Sequence, residues 1–90
     1  MSAQARADRL AVARGQRAER ELELTDSVFD ELRAAAIEEW SQTAVGHVDK
    51  REKLFFVVST IEAVRKSLKT MVDDGQVARF ALAQQGLTRP

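Results

Sequence analysis

The chain has no cysteine and a single histidine in its 90 residues. It can therefore form neither a disulfide nor a cysteine zinc site, and His47 alone cannot build a histidine-based metal site. No apolar run approaches the roughly 18 residues that cross a bilayer. Residues 1–20 alternate Ala and Arg without the apolar segment of a secretory signal. We expect a protein of the cytosol, or of a particle assembled there, with no membrane partner.

Catalytic motifs are also missing. The sequence has no GxxxxGK[ST], no GxGxxG and no HExxH. The adjacent pairs Glu38-Glu39 and Asp73-Asp74 would point in different directions on a helix, so they cannot readily share a substrate atom. His47 has no Ser, Cys or second His at a recognisable spacing, and a solvated or capping role suits it better. We predict no enzyme, no cofactor and no small-molecule substrate.

The charge is unevenly distributed although its sum is zero. Residues 1–20 hold five Arg against two acidic side chains, a net +3, and residues 21–45 hold seven acidic side chains against one Arg, a net −6. Residues 46–75 and 76–90 carry +1 and +2. A basic segment followed by an acidic one predicts that these charges meet, within the chain or between copies.

The dominant pattern lies between residues 49 and 75. Six apolar residues follow each other at intervals of three and four, which is the a/d pattern of a coiled-coil seam. They are Leu54, Val57, Ile61, Val64, Leu68 and Met71. Asp49 with Glu52 resembles a capping box, and Gly75 suits a left-handed C-terminal position. The pattern predicts one helix over about 50–73.

Shorter helices are predicted on either side. Ser2 can cap an Ala/Arg-rich arm, 1–24, whose interior contains Gly15. A joint follows, and Asp26 is the expected N-cap of an amphipathic helix over about 27–41. Residues 76–85 predict a last short helix ended by Gly86. We thus expect an arm (1–24), a helical core (25–86) and a tail (87–90).

The predicted fold is all-α. Helices 27–41 and 50–73 would form an antiparallel hairpin, with the arm and the short last helix beside it. A chain this small buries a limited core, so oligomerisation would complete the fold. Phe55 and Val58 widen the apolar arc of the long helix beyond what one partner covers. The predicted oligomer or partner interface comprises Leu54, Val57, Ile61, Val64, Leu68, Met71, Trp40 and Phe80.

The middle of the chain resembles a known group of proteins. The matching segments run from Phe29 to Trp40, from Asp49 to Leu54 and from Val64 to Gly75, within residues 16–82. They are similar to small helical proteins of tailed bacteriophages and prophages, encoded among head and packaging genes. The resemblance implies a non-enzymatic part in virion assembly or DNA packaging, in the bacterial host cytoplasm or the assembled virion. It assigns no functional residue.

Three functions follow from these patterns. The first is a phage structural or assembly protein, acting as a homo-oligomer or as an adaptor on a larger virion protein. The second is a DNA-binding packaging factor similar to small terminase subunits. Its phosphate contacts would be Arg6, Arg9, Arg14, Arg17, Arg65, Lys66 and Lys69. The other interpretation of Arg65, Lys66 and Lys69 is a solvated basic face that forms salt links with acidic residues 21–39. The third is an inhibitor of a host protein that would use Glu31, Glu38 and Glu39.

Overall fold

The structure is a computed structural model that describes residues 2–86, and those residues form two long helices. Helix α1 spans Ala3–Gln42 and helix α2 spans Val48–Gln84. The two pack side by side along their length as an antiparallel hairpin, in a rod with extents of 61 × 22 × 13 Å. The predicted all-α helical hairpin is confirmed. The predicted tail, 87–90, lies outside the described residues.

Helix α1 joins two segments that the sequence separates. The arm and the predicted helix 27–41 are one continuous helix, and Asp26 lies in its interior instead of at an N-cap. The Thr25 hydroxyl donates to the Glu21 carbonyl at 2.6 Å, a bond that a threonine inside a helix commonly makes. The predicted cap at the start is confirmed, because Ser2 Oγ accepts from the Ala5 N–H at 3.0 Å.

Helix α2 is longer at both ends than predicted. Gly75 does not end it, and the predicted short helix 76–85 forms its last turns. The N-cap is His47, which makes no side-chain capping bond, so the capping box predicted at Asp49 is wrong. Asp49 lies in the first turn, where negative charge suits the helix N-terminus. Gly86, with φ of 69°, follows the helix end as predicted.

The two interior glycines lie where the backbones of the two helices are in contact. A Cβ on Gly15 would lie 2.8 Å from the Met71 carbonyl oxygen and 2.9 Å from the Gly75 Cα. A Cβ on Gly75 would lie 2.9 Å from the Gly15 Cα. These are backbone atoms that cannot move without separating the helices. The sequence suggests Gly15 as a weak point of one helix and Gly75 as the end of another, but together they form a close backbone contact between α1 and α2.

The interface repeats every seven residues along both helices. One row of α1 contains Asp8, Gly15, Leu22, Phe29 and Ala36. The facing row of α2 contains Leu54, Ile61, Leu68, Gly75 and Leu82. Every member is buried or half-buried, which is the pattern of an antiparallel coiled coil. The buried apolar residues are mostly alanines, and no large side chain in residues 2–86 is completely buried.

The second row of α2 in this interface differs from the predicted one. It contains Arg51, Val58, Arg65 and Val72, all half-buried. Val57, Val64 and Met71, predicted to share a seam with Leu54, Ile61 and Leu68, lie on the flank of the intrachain interface, each 43% exposed. The reason is that the two arginines find polar partners between the helices, so the interface turns toward their side of α2.

Arg51 closes the loop end of the hairpin. Its Nη1 donates to the carbonyl oxygens of Thr43 at 2.8 Å and Trp40 at 3.3 Å at the C-terminus of α1, and the Trp40 oxygen also accepts from the Thr43 N–H. Its guanidinium also lies 3.9 Å from the centroid of the Trp40 ring. One side chain thus fixes the end of α1 to the start of α2.

Candidate interaction surface

One side of the hairpin is held by ion pairs between the helices. Arg65 of α2 lies 2.7 Å from a carboxylate oxygen of Asp26 and 2.7 Å from one of Asp30 in α1. One turn closer to the loop, Arg33 of α1 pairs with Glu62 of α2. These pairs set the axial register, because they place residue 65 of α2 beside residues 26–30 of α1.

Arg65 is an internal link of the hairpin, paired with the acidic region of α1 as the sequence predicts, and the DNA-binding alternative uses it instead as a phosphate ligand. Its side chain is 15% exposed, and the hydrogen bond to Asp30, with the charge of Asp26, raises its pKa above the ordinary arginine value. The two carboxylates bind the guanidinium nitrogens that a phosphate would otherwise contact. The structure therefore sets Arg65 apart from the other basic residues predicted to contact nucleic acid.

The opposite side carries apolar side chains with no cover from the hairpin. We call Val28, Leu32, Val57, Val64 and Met71 the side face. Val57, Val64 and Met71 are each 43% exposed, and Val28 and Leu32 are 46% and 52% exposed. Side chains of this kind gain free energy when a partner removes them from water, at about 25 cal/mol per Å². The side face is therefore the leading candidate for an interaction surface.

The side-face residues share one side because of the seven-residue repeat. Glu21 of α1 and Met71 of α2 line the same open groove. Val28 follows Glu21 by seven residues, and Val64 precedes Met71 by seven. Steps of seven stay on one side of these helices, as the buried rows demonstrate. Leu32 follows Val28 by four residues, and Val57 precedes Val64 by seven. Both lie one step closer to the loop than the residue they extend.

The predicted interface residues divide into three groups. Leu54, Ile61 and Leu68 lie in the interface between α1 and α2, and Ile61 is buried there. Val57, Val64 and Met71 belong to the side face. Trp40 and Phe80 are 41% and 66% exposed. The sequence pattern thus combines residues that hold the hairpin with residues that it leaves accessible.

A smaller apolar patch lies at the loop end. Ile37, Trp40, Leu54, Phe55 and Val58 line a shallow cavity between the helices there. Phe55 remains 69% exposed. This patch lies on the ion-pair side, because Ile37 follows Asp30 of α1 by seven residues.

The remaining charged residues lie on the outside of the hairpin. Arg6, Arg9, Arg14 and Arg17 are exposed along the first half of α1, and Lys66 and Lys69 are exposed on α2. Arg14 and Lys66 line one groove together with Ser67, Thr70 and Asp74. The three acidic residues predicted to recognise a host protein, Glu31, Glu38 and Glu39, are all exposed. Glu39 forms an ion pair with Lys50 at 3.2 Å.

Sequence reasoning missed the structural role of Arg51 and the burial of Arg65, although it expects Arg65 to form salt links with acidic residues 21–39. Both occupy interface positions that a hydrophobic pattern search passes over. A signal was present, since each lies seven residues from Val58. The acidic residues near the middle of α1 supply the charges that Arg65 needs.

Residues 2–86 bring together no group of three His, Cys, Asp or Glu side chains that could hold a metal ion. In the same part of the chain, no helix has the length and hydropathy needed to cross a bilayer. No protein-family model matches the sequence, and the comparisons with curated proteins and with solved structures found no significant similarity.

Proposed function

We propose that this chain is a non-enzymatic assembly protein that associates with copies of itself through the side face. The observation that carries the proposal is the row Val57, Val64 and Met71, which the hairpin leaves 43% exposed at each position. Single exposed apolar residues are common on proteins. A row aligned over four helical turns, with Val28 and Leu32 beside it, is typical of a helix-packing surface.

The small intrachain core supports the same proposal. The buried residues are Ala5, Ala18, Ala36, Ile61, Ala78 and Leu82, so alanines supply most of the apolar burial. A two-helix rod of this size has one interface along its length and solvent everywhere else. Association of copies would add a second apolar interface, which is a common route to stability for small helical chains.

The proposed setting is a tailed-phage particle assembled in a bacterial host. This part of the proposal rests on the resemblance of residues 16–82 to small phage proteins, and on nothing else. In such a particle the hairpin would be a structural or packaging component. A larger virion protein bound at the side face, in place of a second copy, is the adaptor form of the same function.

The proposal is tested by placing a charge in the side face. Val64→Lys leaves the single hairpin foldable because the position is already half-exposed. We expect wild-type Tm to rise with protein concentration, since association stabilises the folded state by mass action, and we expect this dependence to disappear in the variant. Circular dichroism at several concentrations measures both effects.

Ser59→Lys is the matched control. Ser59 lies two residues before buried Ile61, on the opposite side of α2, and the substitution adds the same charge. It should keep the concentration dependence. Equal behaviour of the two variants, or a wild-type Tm independent of concentration together with the mass of a single chain, would contradict self-assembly. The adaptor form would then require a virion protein that binds wild type and Ser59→Lys but not Val64→Lys.

DNA binding is the second candidate, and one groove favours it. Two cationic side chains, Arg14 and Lys66, line it with the hydroxyls of Ser67 and Thr70, which are groups that bind phosphate. A packaging factor of this kind should retard duplex DNA at about 50 mM salt and lose affinity steeply as salt rises. Arg14→Ala with Lys66→Ala should weaken the shift. Absence of any shift at low salt excludes this function.

A further inference from the structure

We propose that the partner at the side face is a second copy related by a two-fold axis perpendicular to the rod, forming an antiparallel four-helix bundle. This inference rests on the proposed self-assembly and specifies its geometry. In it α1 packs against α1 of the second copy and α2 against α2, each pair antiparallel. Such an interface is isologous, so each residue type on one copy must suit its symmetry mate on the other.

The apolar row of α2 has the symmetry that this arrangement requires. Val57 and Met71 are equidistant in sequence from Val64. A two-fold axis at Val64 would therefore place Val57 beside Met71 of the second copy, and Val64 beside its own equivalent. All three have the same exposed fraction, 43%. The row is thus apolar at both mutually facing positions and at the centre.

The charges flanking the side face on α2 have the same symmetry. Ser67 and Asp74 line the groove beside Met71, and Lys53 lies in their row because it precedes Asp74 by 21 residues, three repeats of seven. The midpoint between Lys53 and Asp74 falls between Ala63 and Val64. The axis would therefore bring Lys53 of each copy to Asp74 of the other.

The flank of α1 provides an independent second pair. Arg17 lines the groove beside Met71, and Glu38 follows it by 21 residues in the same row. Their midpoint falls between Ser27 and Val28. The axis would bring Arg17 of one copy to Glu38 of the other. It would also set residues 13–20, with a net charge of +2, beside residues 35–42, with a net charge of −2.

A single two-fold axis satisfies the residue pairs of both helices, and this agreement is the strongest support for the inference. The α2 pairs require an axis at residues 63–64, and the α1 pair requires one at 27–28. Arg65 bonds Asp26 and Asp30, so the hairpin itself places those two levels side by side. A two-fold axis parallel to the rod would instead pack α1 on α2 of the second copy, and it would bring each residue level with its own equivalent across the bundle.

Cysteine cross-linking tests the arrangement in the full chain, which has no cysteine of its own. Val64→Cys should form a disulfide-linked dimer rapidly under mild oxidation, because the position lies at the axis. Val57→Cys alone and Met71→Cys alone should not, since 13 or 14 residues separate the symmetry mates by about 20 Å along the helix. An equimolar mixture of these two variants should yield the mixed dimer. Non-reducing gel electrophoresis and mass spectrometry measure each product.

Ser59→Cys, on the opposite side of α2, is the control and should remain uncross-linked. Self-linked Val57→Cys and Met71→Cys without the mixed product would indicate a two-fold axis parallel to the rod, which brings equivalent residues to one level, and would overturn this inference, while the proposed self-assembly would stand. A dimer that links at none of the three side-face positions would also overturn it. A single-chain mass at every concentration would remove both the inference and the self-assembly.

The charge pairs give a second readout. Lys53→Asp places two acidic groups together in the two-fold dimer and should weaken dimerisation about tenfold, and adding Asp74→Lys should restore it. Sedimentation equilibrium measures the dissociation constants. If the double variant dimerises as weakly as Lys53→Asp, the two residues do not face each other and the two-fold register is wrong.

Discussion

The two halves of the hairpin are built from different side chains. In the half with the chain ends, most buried residues are small: Ala5, Gly15 and Ala18 of α1 and Gly75 and Ala78 of α2, beside Asp8 and Leu82. In the loop half, the contacts between helices come from larger groups. These are Phe29, Trp40, Arg51, Leu54, Val58 and Ile61, of which only Ile61 is buried.

This difference indicates how the two helices pack against each other in each half. Small residues bring the backbones together at Gly15 and Gly75, so this part of the interface excludes water without large side chains. The loop half places larger side chains between its helices, and most of these remain half-buried or exposed. The side face includes positions of the loop half and the middle for this reason. It is where the hairpin has more apolar surface than two helices can cover.

The largest expected effect is from a charge in the buried part of the loop half. Ile61→Asp would bury a carboxylate with no cationic partner in the α1–α2 interface, and we expect it to reduce the free energy of unfolding by about 3 kcal/mol or more. Thermal unfolding followed by circular dichroism measures the loss. A variant that stays as stable as wild type would show that Ile61 is not an interface residue. Because it damages the hairpin, this substitution cannot by itself report on association.

The close contact in the other half gives the next effect. Replacing a glycine inside a helix by alanine normally stabilises the helix by about 1 kcal/mol. In Gly75→Ala, however, the new Cβ would lie 2.9 Å from the Gly15 Cα and 3.0 Å from the Ala11 carbonyl oxygen. We expect the sign to reverse, with a net destabilisation of about 1–3 kcal/mol from overpacking. Urea unfolding provides the measurement.

Gly46→Ala is the control for that prediction. Gly46 lies in the loop, and a Cβ there would meet nothing within 4 Å. It should leave stability unchanged or slightly raised, because alanine restricts the unfolded chain more than glycine does. If Gly75→Ala stabilised the protein as much as Gly46→Ala or more, the backbones would not be in contact at this point.

The smallest effect is expected from the ion pairs that link α1 to α2 near the middle of the rod, where the two halves meet. Arg65→Met removes the cation between Asp26 and Asp30 and should lower Tm by a few degrees at low salt. The loss should shrink as salt screens the two remaining carboxylates from each other. Lys66→Met, at the exposed neighbouring position, should leave Tm nearly unchanged. Equal losses in the two variants would mean that Arg65 does not link the helices.

The sequence predicts the hairpin well and its boundaries poorly. Ser2, Gly86 and the loop before α2 follow local rules that operate at helix ends. Asp26 and Gly75 follow the same rules and mislead, because each has a stronger interaction with the other helix. Cap propensities amount to about 1 kcal/mol, and contacts along a 40-residue helix outweigh them. Such contacts cannot be seen before the partner helix is in place.

The candidate surface could be found from sequence only in part. Spacing identifies Leu54, Ile61 and Leu68 as interface residues, but it assigns Val57 and Val64 to the same seam. The missing information is which flank faces α1. Arg65 and the acidic residues of α1 decide this, through charge pairing between residues far apart in the chain. The side face is defined only once that choice is known.

The contact between Gly15 and Gly75 supports the whole account, because it aligns the helices and fixes the level of each residue on the side face. An NMR nuclear Overhauser experiment on the labelled protein measures it directly. We predict a strong cross-peak between the α-protons of Gly15 and Gly75, with helical shifts continuing through both residues. A missing cross-peak, or loss of helical shifts after Asp74, would contradict the account.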